Sequence, residues 1–140
     1  KLDKKKYSDE LRNNLNELNN LLELVKVNYE ETLNEDNRLR LVITKCSEID
    51  NPYNSDFICN NTILDKMKLL NLSEIRFEKS LDSCSKTVNL KEVYFKRDKT
   101  TLGSVVYFLY EYCGSKDEFK SVSVYYEPID NFWGLYIEND

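Results

Sequence analysis

The stretch from Asn89 to Asp140 constrains this chain more than any other. Four segments read as β-strands in a row: Lys91 to Arg97, Ser104 to Cys113, Phe119 to Glu127 and Phe132 to Glu138. Aromatic and β-branched side chains dominate them, and the last one carries the single tryptophan, Trp133. Turns this short join antiparallel neighbours. Val105 to Tyr112 is apolar on both faces, which predicts a central strand. Upstream, Ser73 to Lys79 alternates Ile75 and Phe77 with Glu74, Arg76 and Glu78, the pattern of a fifth strand at the sheet edge. One face of such a sheet is apolar and has to be covered.

The N-terminal third supplies the cover. Ser8 reads as an N-cap, with Asp9 and Glu10 in the first turn to complement the helix dipole. Leu11, Leu15, Leu18, Leu22, Val25 and Tyr29 then recur at alternating spacings of four and three, and the helix runs to about Glu31. Leu21 and Leu24 widen the stripe, while Asn13, Asn16, Glu17, Asn20 and Glu23 fall opposite it. A stripe this wide lasting fewer than four heptads predicts packing within the chain rather than a coiled-coil dimer. Leu39, Val42, Ile43, Cys46 and Ile49 fit a second helix, although Leu39, Leu41 and Ile43 also alternate as a strand would. Asn51 to Asp56, with Pro52, reads as a loop. Thr62 to Leu70 reads as a short third helix with Ile63, Met67 and Leu70 inward. The predicted fold is α+β over residues 1–140 as a single domain: two or three N-terminal helices on one face of a five-stranded antiparallel β-meander.

Register follows from the turns. A turn at Pro128 to Asn131 sets Val122, Val124 and Tyr126 opposite Ile137, Leu135 and Trp133, and these six form the predicted core face. Ser121, Ser123, Tyr125, Phe132, Gly134 and Tyr136 then face outward. With Asp98 to Gly103 as another turn, Cys113 falls near Val88. That favours a Cys84–Cys113 bridge and, by elimination, Cys46–Cys59, out of three pairings open to four cysteines.

Several chemistries are excluded. The chain has no histidine, so Ser-His-Asp and Cys-His sites and His-ligated metals are out. No cysteine pair has CxxC spacing, and three scattered glycines cannot build a phosphate loop. A net charge of -5 lacks the basic footprint of nucleic-acid binding, and Lys91, Lys96, Arg97 and Lys99 sit among acidic strands. The candidate acid–base carboxylates, Glu111 and Glu127, lie near strand ends and read as solvated charges. We expect no cofactor and no enzymatic activity.

What remains is the outer aromatic set: Tyr125, Phe132 and Tyr136, with Tyr107 and Tyr110 from the neighbouring strand. Tyrosine faces rimmed by charge suit protein binding, since each ring offers large contact area at low entropy cost. The expected function is non-enzymatic binding of another protein, as an extracytoplasmic inhibitor or immunity-type protein. The runner-up is a cell-surface or periplasmic lipoprotein domain with a small-ligand pocket between helices and sheet, beneath Trp133 and Val124. The opening Lys-Leu-Asp-Lys-Lys-Lys resembles the start of a mature region after a removed signal or lipid anchor, and a trimmed end accounts for it equally well. Two disulfides predict no thiol reacting with Ellman's reagent in denaturant without reductant. Four reactive thiols would remove both the pairing and the export argument.

Overall fold

A computed structural model describes residues 2–34, 40–45, 57–79, 90–100 and 103–139. The expected loop at 51–56, Leu39, Cys46, Ile49 and the whole segment 81–89 with Cys84 lie outside the described residues, as do residues 101 and 102 of the Asp98–Gly103 turn.

The long N-terminal helix is two helices. Helix α1 spans Lys4–Asn13 and α2 spans Leu15–Asn34. Asn14 sits between them. Its side-chain amide donates to the Glu10 carbonyl at 2.9 Å, sharing that acceptor with its own backbone N–H at 3.1 Å where the helix is interrupted. The cap is Asp3, whose carboxylate accepts from the Lys6 amide at 3.1 Å. Ser8 is therefore not the cap; it lies inside α1, buried. The apolar stripe holds: Leu11, Leu18, Leu21, Leu22 and Val25 are buried, and Leu15, Leu24 and Tyr29 pack against them. Helix α3, Asn61–Leu69, is capped by the Asn60 side chain and buries Ile63 and Met67, close to expectation.

The expected second helix is a strand. Arg40–Ile43 forms β1, with Leu41 and Ile43 on the core face and Val42 buried on the other. Branched Val42 and Ile43 fit a pleat better than a helix, and pairing with β3 decides the matter. The remaining strands are β2 (Phe57–Ile58), β3 (Leu72–Lys79), β4 (Leu90–Arg97), β5 (Ser104–Glu111), β6 (Phe119–Lys120), β7 (Val124–Pro128) and β8 (Trp133–Asn139). One sheet has the order β2-β1-β3-β4-β5-β8-β7-β6. It is antiparallel except for β2, which joins β1 in parallel. Strand β3 is thus interior rather than an edge, because β1 occupies the place outside it.

The sheet is not a simple meander either. Strand β8 lies between β5 and β7. In the terminal hairpin Val124 pairs with Glu138, Tyr125 with Ile137 and Tyr126 with Tyr136. That is three residues from the expected register, and an odd shift exchanges the faces of one strand. Two features explain it. Asp130 folds the turn by accepting the Phe132 and Trp133 amides at 2.9 and 2.7 Å. The Tyr126 ring then lies across Gly134, where an added Cβ would meet it at 2.5 Å. Trp133, Leu135 and Ile137 remain on the core face, as expected. Val124 and Tyr126 do not; they are on the outer face, and Val122 is fully exposed.

All three helices cover the core face, where Phe77, Phe95, Phe108 and Trp133 form the bulk of the packing. Trp133 packs at a tilt against Phe95 with centroids 5.3 Å apart and donates its indole N–H to Asn19 of α2 at 2.9 Å. Arg97 pairs with Glu10 at 2.5 Å and ties α1 to the end of β4. No helix among the described residues is long and apolar enough to cross a membrane. Gly134→Ala should lower stability in urea by about 1–3 kcal/mol through overpacking against Tyr126. The loss should shrink in a Tyr126→Ala background, since the two sites share one clash.

Candidate functional site on the outer sheet face

The outer face is the side of the sheet without helices. Alternation along β4, β5 and β8 sends Val93, Phe95, Val106, Phe108, Leu135 and Ile137 inward, and Tyr94, Tyr107 and Tyr136 outward. The three outward rings pack on one another, with centroids 5.4, 5.9 and 6.0 Å apart. Tyr107, in the middle, is buried; Tyr94 and Tyr136 are half-buried. The Arg76 guanidinium of β3 lies over Tyr94 at 4.4 Å and over Tyr107 at 5.6 Å. Each such contact is worth roughly 0.5–2 kcal/mol depending on desolvation.

Of the five residues expected to share this surface, Tyr107 and Tyr136 are here together. The odd register shift puts Tyr125 on the core side, under α1, with the Lys4 ammonium 4.2 Å from its ring centre. Its hydroxyl donates to Glu127 at 3.3 Å. Tyr110 pairs with Trp133 and also faces the helices. Phe132 precedes β8, stacks on Tyr110 at 5.9 Å and is partly exposed. These three make a separate cluster or belong to the helix packing, and they do not extend the outer face. Tyr94 was missing from the expected set. The alternation Val93, Tyr94, Phe95 carries the signal, since two inward apolar residues put the tyrosine between them outside.

The carboxylates also depart from expectation. Glu78, Glu92 and Glu111 stand in register across β3, β4 and β5 on this face. Glu111 is not a solvated charge: it and Glu92 are each 6% exposed. Glu92 accepts the Tyr94 hydroxyl at 2.7 Å. Arg76 Nε lies 3.1 Å from Glu78, close enough to pair but off the line of a hydrogen bond. One oxygen of Glu111 has the Lys116 ammonium 3.7 Å away, while the other is buried without a hydrogen-bond partner, as is the Tyr126 hydroxyl. Glu127 is the anchor of α1, accepting from Ser8 at 2.6 Å. Neither described cysteine, Cys59 or Cys113, is a free thiol. Cys113 falls opposite Leu90 by extension of the Glu92–Glu111 register, two residues from the expected position.

Burial dominates the phenols. It raises the pKa of Tyr107 and Tyr136, and Tyr94 is raised furthest, with the Glu92 hydrogen bond adding to burial. Tyr126 is pushed up to about 12, by burial first, with the Glu111 carboxylate contributing. A folded-state pKa above the ordinary value near 10 means the native state holds its protons longer than the unfolded chain. The stability this provides is complete below about pH 10 and disappears as pH rises through the folded values. Absorbance at 295 nm should therefore show the outer tyrosines ionising only as the protein unfolds above about pH 10, and Tyr126→Phe should move that unfolding to higher pH.

Comparison of the chain with known protein families, with curated proteins and with solved structures finds no match. The outer face has to be read from its own chemistry.

Proposed function

We propose that this protein binds another protein through the outer face of its sheet, and does so without catalysis. The observation that carries the reading is the helix-free trio of Tyr94, Tyr107 and Tyr136, backed by a rigid sheet and bordered by Glu74, Glu78, Glu92 and Glu138. Large rings held by their neighbours lose little entropy on contact, which is why tyrosine concentrates at binding hot spots. A net charge of -5 favours a basic partner. An inhibitor or immunity-type protein that neutralises its partner is the most concrete form. An extracytoplasmic location draws support from the absence of a free thiol at Cys59 and Cys113. We further propose the pairings Cys46–Cys59 and Cys84–Cys113.

A second reading, a small-ligand domain, has one observation in its favour. A groove of about 500 Å³ opens beside the end of α3, lined by Lys45, Leu64, Lys68, Asn71, Asp98 and Lys99 among others. It does not lie beneath Trp133, whose ring meets Phe95, Tyr110 and Asn19. Affinity capture from the source organism's extract separates the readings. Tyr94→Ala with Tyr136→Ala should lose a partner that the native protein retains, while the circular dichroism stays native. A folded double variant that keeps its partner would overturn the protein-binding reading.

A further inference from the structure

The row of glutamates asks for a cation. Tyr112 donates its amide to the Lys91 carbonyl, so the next pair along, Glu92 and Glu111, is of the type without direct hydrogen bonds. In such pairs the side chains approach most closely, and like charges opposite one another are destabilising. Both carboxylates are also nine-tenths buried, where an unmatched charge is costlier still. Among the described residues, two cations reach this part of the row, and each relieves it only in part. Arg76 is engaged with Glu78 and the Tyr94 ring. Lys116 reaches Glu111 from an exposed loop at 3.7 Å, beyond hydrogen-bond distance. One oxygen of Glu111 is buried without a hydrogen bond by strict geometry, and the buried Tyr126 hydroxyl lies close enough to Glu111 for the carboxylate to hold its proton.

The nature of the missing cation can be argued as well. Among the described residues no three carboxylates or thiols are grouped for a metal ion. The same face already holds one guanidinium: Arg76 lies over Tyr94 with Glu78 3.1 Å from its Nε. A flat, delocalised cation with several N–H donors suits two carboxylates next to an aromatic face better than a hydrated ammonium does. Its long apolar stem also lets a charge on a protein surface reach groups lying below the rim.

Resting on the protein-binding reading above, we propose that Glu92 and Glu111, with Tyr94 beside them, seat an arginine side chain of a basic partner protein. The incoming guanidinium displaces Lys116 and takes the free oxygen of Glu111 together with Glu92. Lys116 is an internal placeholder, and because it is exposed and loosely held, moving it costs little.

The probe is a short Arg-Gly repeat peptide, titrated calorimetrically at low salt against the same peptide with citrulline at every arginine. The native protein should bind the arginine peptide and not the citrulline one. Glu92→Gln with Glu111→Gln should weaken that binding by about tenfold or more. The double variant should melt no lower than the native protein, since it removes a like-charge pair. Lys116→Ala should tighten binding. Equal binding of both peptides, unchanged affinity in the double glutamine variant, or a lowered melting temperature would each overturn the proposal. If arginine binding fails while Tyr94→Ala with Tyr136→Ala still abolishes partner capture, the arginine seat falls and the protein-binding face stands.

Discussion

The register of the terminal hairpin is the constraint on which the rest of the molecule depends. Asp130 gathers two amides at the turn, Gly134 leaves room for the Tyr126 ring, and together they fix which residue of β7 faces which of β8. A slip of one residue would exchange the faces of a whole strand. As it stands, Trp133, Leu135 and Ile137 close the core beneath the helices, and Tyr136 completes the trio on the far side. The two faces of the sheet are thus set by one turn. The helices answer to it: Asn19 of α2 meets the indole of Trp133, and Ser8 of α1 meets Glu127.

The outer face combines two kinds of side chain that pull in opposite directions energetically. The tyrosines gain from packing edge to face. The glutamates between them, aligned across three strands, repel one another. Arg76 relieves part of that repulsion by serving both groups at once, as cation over two rings and as ion-pair partner of Glu78. A surface selected for stability alone would replace Glu92 or Glu111 with an apolar side chain, as is common where buried charge is exchanged for packing. The presence of both is the feature on which the proposed arginine seat rests.

The architecture was legible where periodicity was unambiguous. The stripe from Leu11 to Val25 and the alternation of Ile75 and Phe77 led directly to buried faces. Val42 and Ile43 misled because a short apolar run fits both periods, and only the pairing partner, β3, resolves it. The register failed for another reason. Hydrophobic alternation is satisfied equally well with Tyr126 inward or outward, since Tyr126 is buried on either side; what decides is the small cross-section of Gly134, a contact between strands that a linear reading does not weigh. Tyr125 follows that register to the core side, whereas Tyr110 lies there because it is three residues from Tyr107 on one strand and so faces the opposite way; Glu111 is buried beside the segment that carries Ser115 and Lys116.

Strand β8 follows β7 in sequence but precedes it in space, and this has a consequence for how the chain reaches its native state. Until residues 133–139 arrive, β5 presents an unpaired edge of Val105, Val106, Tyr107 and Phe108, among the most adhesive stretches of the protein. The competing event is premature docking of β7 onto that edge, which sequence proximity favours and the native topology forbids. Closure of the β7–β8 hairpin ahead of its docking avoids the trap, and hairpins close within microseconds. On this physical argument, a fast-forming Asp130 turn between the two strands favours assembly of the sheet in its native order.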